Sequence, residues 1–374
     1  MLLIGILLGA ILGIVLGLIP SFNSGFVLIF ASSLGDPYFA VGLILGIDST
    51  SSIIKHLSML NSSLEDIEEN RLIKNDPSLI LTALVSGMTG KLIGSFVGIG
   101  LLIFLQGSEL KLDGLGRGLS VGLIILTWTF LIIKSKNKLL AIISLVTSGL
   151  LAILATNLPI NQPMFVLTSC LFSSSLIQSG IKNQLKIKDP YITNFHSGVE
   201  IASGFFSGAL SSILWGLPTS VVCKAIEEEE DKTHTIISRK AFGDGVSSVL
   251  GLTILLAIKG SRSAVAQNIS SLKLEFNDLE SIGIILTSFS LSLIGYLIFN
   301  NIMELYIKVY NLTPNFFNKG LIIVTFIILM WLSNGWCIPL IGASLLLNKL
   351  IKLAEAPKEL NLGAISILPM IALF

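Results

Sequence analysis

Gly17-Leu18-Ile19-Pro20-Ser21-Phe22-Asn23-Ser24-Gly25 interrupts an N-terminus that holds no Asp, Glu, Lys or Arg before Asp36. In water such a turn is ordinary. In a bilayer it is costly, because backbone N–H and C=O groups released from a helix find no partner in lipid. Irregular backbone at that depth persists only where protein buries it or where it lines a wet cavity. A second break, Gly216-Leu217-Pro218-Thr219-Ser220, falls near the middle of the chain. The two breaks are expected to face each other and to build one site.

The bilayer follows from composition. Of 374 residues, 52% are hydrophobic and only 13% charged, with a mean hydropathy of +0.86; a soluble domain carries about 25% charged residues. The chain therefore reads as all-α, a polytopic integral membrane protein, multi-pass in the cell (plasma) membrane. A net charge of +1 gives no attraction for nucleic acid. Cys170, Cys223 and Cys337 are far apart, each in or beside an apolar run, and read as small buried hydrophobes. His56, His196 and His234 are isolated and form no ligand set. The N-terminus lacks a basic stretch before its apolar run, so it reads as a first membrane helix rather than a cleaved signal.

A spanning helix takes about 20 mostly apolar residues. Residues 2–19 form the first, ending at Pro20. Residues 25–34 and 38–54 are shorter and read as half-helices or a re-entrant hairpin, and the charged segment 55–78 as a loop. Residues 79–106 are apolar but interrupted by Gly87-Met88-Thr89-Gly90-Lys91. Plain spans follow at 118–133 and 138–156. The second half offers 163–181, 197–222 with the second break, 241–259, 279–302, 319–333, 335–351 and 361–374. The total is about 10–12 membrane elements, some of them broken or re-entrant. Segment 223–240 is the most charged in the chain, and Glu227-Glu228-Glu229-Glu230-Asp231 within it reads as a solvated charge run. Lysines 134, 136 and 138 and lysines 182, 186 and 188 flank a hairpin with an uncharged far turn, which places both clusters on the cytoplasmic side.

The halves share more than a break. Pro20 is followed by Asp48-Ser49-Thr50-Ser51-Ser52, and Pro218 by Asp244-Gly245-Val246-Ser247-Ser248. Both read Asp-x-x-Ser-Ser, and both are expected to open an apolar helix. One copy falls in each half, so the chain divides into repeat units 1–156 and 157–374 of one membrane domain. Gly/Pro-interrupted segments in corresponding places of two halves point to a secondary transporter's midplane site. The competing reading is chance similarity in a chain rich in Ser and Gly.

Charges inside apolar runs are functional candidates. Lys91 lies about twelve residues into its run, roughly 18 Å deep; it must pair, face water or bind an anion, unless the Gly87–Gly90 turn brings it to a surface or it snorkels. Asp48 and Asp244 read either as helix N-caps or as ligands of a coupling Na⁺ or H⁺. Lys259 and Arg262, in Lys259-Gly260-Ser261-Arg262-Ser263, suit a carboxylate or phosphate, or simply close a helix against its dipole. Glu200 and His196 read as interfacial or as a proton relay. No metalloprotease, P-loop or nucleophile-turn motif occurs, so the chain is not expected to be an enzyme.

The chain resembles the large membrane permease of the tripartite tricarboxylate transporter (TctA-type) family, archaeal branch. The likeness rests on Gly9 to Pro20, on residues 208–220, on residues 243–264 ending Gly260-Ser261-Arg262-Ser263-Ala264, and on Gly363-Ala364 to Leu368-Pro369. It departs where the family's Pro-Gly turn is Pro20-Ser21 and Pro218-Thr219, and where Ala264 replaces a glycine. The resemblance implies uptake of di- or tricarboxylates driven by an ion gradient, with a small membrane subunit and an extracytoplasmic binding protein as partners.

The expectation is therefore a secondary transporter for a small anionic solute, with no cofactor beyond a coupling Na⁺ or H⁺. Its first break would contribute Pro20, Ser21, Asn23 and Ser24, and its second Pro218, Thr219 and Ser220. The Ser-rich helices would add Ser51, Ser52, Ser247 and Ser248, and Lys91, Lys259 and Arg262 would add positive charge. Asp48 and Asp244 would couple the ion. Alternatives are a lipid-linked phosphate carrier (flippase) and a membrane-embedded enzyme acting on lipid intermediates.

Overall fold

Glycine at every fourth position, Gly5, Gly9, Gly13 and Gly17, gives helix α1 (Leu2–Gly17) one face without side chains; all four are buried. Its other faces carry Leu3, Ile4, Leu7 and Ile11, all exposed. Apolar residues outside and small ones inside is the arrangement expected where lipid is the solvent. Described in this computed structural model are residues 1–18, 34–61, 76, 79–106, 115–160, 163, 166–167, 169–171, 198–213, 218–227, 231–258, 264–312, 314–357 and 359–360. They form helices α1, α2 (Pro37–Asn61), α3 (Leu79–Gln106), α4 (Leu115–Lys134), α5 (Lys138–Asn157) and α6 (Gly198–Ile213). They continue with α7 (Thr219–Ile226), α8 (Thr233–Ile258), α9 (Ala264–Ser271), α10 (Asp278–Leu312), α11 (Pro314–Ser333) and α12 (Cys337–Ala354). No strand occurs among the described residues. Six of these helices (α2, α3, α5, α8, α10 and α12) are long and apolar enough to span a membrane, with shorter apolar stretches at Leu2–Gly17 and Ile124–Lys134. The protein is an all-α polytopic membrane protein.

Glycine sets the closest helix contacts. A Cβ on Gly5 would strike the Phe39 carbonyl, on Gly9 the Leu43 carbonyl, and on Gly13 the Ile47 backbone, so α1 lies against α2 backbone to backbone. Both partners advance together along the chain, which makes α1 and α2 parallel. The same holds for α6 and α8, where Gly204 meets Arg239 and Phe242, and Gly208 meets Gly243 and Val246. Between them α7 runs back: Thr219 pairs with Ser211 and Cys223 with Ser207, antiparallel to α6. Pro218 starts α7 with φ −64° and ψ 146°, and its carbonyl accepts from Val221 N. The described part of the second break (218–226) is thus a short helix folded back along α6. The first break, from Pro20 to Ser24, lies outside the described residues.

Three elements differ from expectation. Residues 38–54 are not a half-helix but part of the unbroken α2, which extends through His56 because its apolar faces are covered on all sides. Residues 79–106 are one helix with no turn at Gly87–Gly90; those glycines admit α8, since a Cβ on Gly90 would meet Phe242 and Gly245 reaches the backbone of Gly87 and Lys91. The charge run 227–231 is not solvated at its described ends. Glu227 pairs with Lys224 (2.8 Å), and Arg239 of α8 donates to Asp231 (2.7 and 3.4 Å) and to Ser203 Oγ (2.9 Å), leaving both pairs largely buried. Glu228 to Glu230 lie outside the described residues. The three cysteines are free and buried, as expected.

Candidate functional site

The most enclosed of the six spans are α2 and α8. From Ala40 to Leu57 every residue of α2 is buried except Asp48, Ser51, Ser52 and Lys55. From Ile237 to Thr253 every residue of α8 is buried except Lys240, Asp244, Ser247 and Ser248. Spacings of three and four residues put each set on one helical face. In a membrane protein such polar residues are kept off the lipid, against protein or water. Asp48, Lys91 and Asp244 each fall near the middle of their spans, Pro37–Leu57, Leu79–Leu105 and Thr233–Ala257.

Neither aspartate begins a helix, so the N-cap alternative fails; α2 and α8 start about three turns earlier, at Pro37 and Thr233. Both carboxylates are half-buried and take part in a charged centre. Lys55 Nζ reaches Asp244 Oδ2 at 3.4 Å, joining α2 to α8, and the two side chains keep 40% and 31% exposure. Asp244 also feels Lys240 and His56, and the Thr219 hydroxyl bonds to it. A hydroxyl row continues from Thr219 to Ser211 (3.2 Å) and on to Ser247 (3.4 Å). Thr219 opens α7, so the second break reaches the second stripe directly.

Lys91 does not reach a surface. It is 3% exposed, and its ammonium donates to Ser52 Oγ of α2 and Ser292 Oγ of α10, each at 2.7 Å. Ser292 in turn donates to the carbonyls of Ser49 (3.2 Å) and Ser288 (2.9 Å), and the hydroxyls of Ser49 and Ser288 lie 3.0 Å apart. The Asp48 carboxylate attracts the ammonium and Lys55 repels it. These contacts fix helix directions. Ser52 against Lys91 and His56 against Gly87 make α2 and α3 antiparallel. Gly90 against Phe242 and Gly98 against Val249 and Thr253 make α3 and α8 parallel. Hence α2 and α8 run in opposite directions. Likewise Leu102 packs with Ile285 at one end, while Leu84 and Met88 share a cluster with Phe299 and Met303 at the other, so α3 and α10 are antiparallel.

Of the residues singled out from sequence, the structure brings together Ser52, Lys91, Asp48, Asp244, Ser247 and Thr219. Ser51 and Ser248 lie on the same stripes but donate to their own helices, to Asp48 O (3.4 Å) and Gly245 O (2.9 Å). Pro218 and Ser220 are half-buried at the start of α7. Pro20, Ser21, Asn23, Ser24, Lys259 and Arg262 lie outside the described residues, as does His196. Glu200 accepts from Thr235 Oγ1 (2.9 Å) at the head of α6. Sequence reasoning missed Lys55, Lys240, Ser288 and Ser292. Lys55 and Lys240 were legible in principle: they lie seven residues after Asp48 and four before Asp244, on the same helical faces. Among the described residues no group of His, Cys, Asp and Glu is placed to hold a metal. Neither family models, characterised proteins nor solved structures give a match to this chain.

Proposed function

We propose that this protein is a secondary membrane transporter for a small organic anion, with its cargo site between the two polar stripes. The observation that carries this reading is a charged centre on largely enclosed helices, in which Asp48, Lys91 and Asp244 fall near the middle of their spans and Lys55 and Lys240 lie beside them on the same polar stripes. Charge at that depth is costly and is kept where an ion or solute passes. Three cations against two anions leave one positive charge among these groups, which suits an anion such as a di- or tricarboxylate. The start of α7 adds hydroxyl and backbone N–H groups of the kind that receive anions at half-helix N-termini.

Pseudo-symmetry supports the same reading. Ile47 and Thr50 meet Gly13 as Gly243 and Val246 meet Gly208, and Ile53 meets Gly295 as Val249 meets Gly98. The step is constant at about 196 residues, from Ile47 to Gly243 and from Ile53 to Val249. The units α1–α2–α3 and α6–α8–α10 are therefore read as two copies of one motif within 1–156 and 157–374. Because α2 opposes α8 and α3 opposes α10, the copies are inverted, the arrangement by which many transporters build a midplane site and expose it alternately. The likeness to TctA-type permeases favours carboxylates as the cargo, with a small membrane subunit and an extracytoplasmic binding protein as partners.

The test is uptake of labelled citrate, succinate and related anions into proteoliposomes under an imposed Na⁺ or H⁺ gradient. Accumulation that is strongly reduced in Asp244→Asn is expected. No accumulation of any anion under either gradient, from protein that is folded and correctly inserted, would refute the carboxylate reading.

A further inference from the structure

The environment of Lys91 is that of a bound cation. Its ammonium sits among oxygens contributed by two helices, Ser52 Oγ and Ser292 Oγ at 2.7 Å, with the Asp48 carboxylate as counter-charge and almost no access to solvent. Ser52 is held by its own bond to Ser49 O (2.8 Å), and Ser292 by bonds to Ser49 O and Ser288 O. The hydroxyl oxygens are thus aimed at the ammonium by helix backbone rather than by the lysine. In the inverted copy the register that pairs Gly98 with Gly295 places Ser288 where Lys91 stands. One copy carries a lysine at this point and the other a hydroxyl.

We infer that the Lys91 ammonium is a tethered cation filling an alkali-metal site formed by the Ser52 and Ser292 hydroxyls, with Asp48, one turn before Ser52 on the same face of α2, as its counter-charge, so that this stripe carries its own positive charge and takes up no free Na⁺. The inference deepens the transporter reading by assigning the cation position beside Asp48, which leaves the second stripe, at Asp244, to any mobile coupling ion. The lysine supplies positive charge beside Asp48 and a donor to both hydroxyl oxygens; removing it uncovers the site.

The experiment uses the purified full-length chain and thermal unfolding in detergent, in NaCl, KCl or choline chloride at equal ionic strength. It does not depend on transport or on knowing the cargo, so it can fail while uptake succeeds, and the reverse. Wild type gives the baseline response to each cation. Lys91→Ser, which copies the residue of the other unit, is expected to gain a saturable stabilisation by Na⁺ or K⁺ over choline of roughly 3 °C beyond wild type. Lys91→Ser combined with Ser292→Ala is expected to lose that gain, and Lys91→Met, which fills the space with an apolar chain, to show none. If Lys91→Ser can be extracted intact only in an alkali-metal salt, that too supports the site. An equal response of wild type and Lys91→Ser overturns the inference, as does a gain that survives Ser292→Ala. If Lys91→Ser is not recovered in any salt, Lys91→Gln, whose amide oxygen can join the site, is read in its place; absence of a cation response there also overturns it.

Discussion

Replacing Gly90 with alanine adds one methyl group at the closest approach of α3 and α8. That methyl would lie 2.9 Å from the Phe242 carbonyl carbon and 3.0 Å from its Cα, and would strike the carbonyl oxygen itself. Both surfaces are helix backbone, so no side chain can rotate away, and the helices must part by roughly 1 Å to restore ordinary contact. Overpacking of this kind costs about 1–3 kcal/mol. Alanine recovers up to about 1 kcal/mol through its better helix propensity, so the net loss should be on the order of 1–2 kcal/mol, a fall in Tm of about 1–3 °C for a chain of this length. The parting also loosens Lys91, whose backbone N–H region is approached by Gly245 of the same interface. Gly100→Ala is the matched control, on the same helix with nothing within 4 Å of the added Cβ, and should be neutral or slightly stabilising. The assay is thermal unfolding of the purified chain, read by the loss of the monodisperse peak on size exclusion. Equal Tm values for Gly90→Ala and Gly100→Ala would show that α3 and α8 do not meet backbone to backbone, and the relative direction of α2 and α8 derived from that contact would fall with it.

Other perturbations separate structural from functional charge. Arg239→Ala removes the fork that holds Asp231 and Ser203; a largely buried pair broken on one side costs about 3–5 kcal/mol, so folded yield should drop sharply, with Arg239→Lys rescuing little because it lacks the fork; normal yield and Tm would refute this. The Lys55–Asp244 pair is partly exposed and worth only about 0–1 kcal/mol to stability. Lys55→Met or Asp244→Asn should therefore leave Tm nearly unchanged while lowering anion uptake on the order of tenfold, and a large fall in Tm would assign the pair to the scaffold instead. Lys136, outside the spans, is bonded to Glu355, which raises its pKa above the usual 10.5. A raised lysine contributes its stability below the unfolded value and loses it only as pH climbs through the folded one, so Lys136→Ala should not alter the pH dependence of unfolding between about pH 5 and 9.

The residues of the site were readable where the chemistry is local. Pro218 must interrupt a helix because it has no N–H to give and excludes the turn before it, and α7 begins at the next residue. Asp-x-x-Ser-Ser marked both stripes, because polar residues three and four apart in apolar sequence share one helical face whatever surrounds them. The extent of the helices was not readable. Lys55 and His56 look like the start of a loop, yet α2 continues through them, because Asp244 and the neighbouring helices supply the partners that a sequence cannot display.

Sequence alone determined that this chain lives in a membrane and that two aspartates and their serines are set apart from the apolar background. These properties depend on composition and on spacing along a single helix. Tertiary structure decided that Lys91 is sealed between Ser52 and Ser292, that Lys55 crosses to Asp244, and that the two stripes lie on antiparallel helices. Which way a helix runs against its neighbour is fixed by contacts between residues far apart in the chain, and the same glycine spacing serves parallel and antiparallel pairs alike.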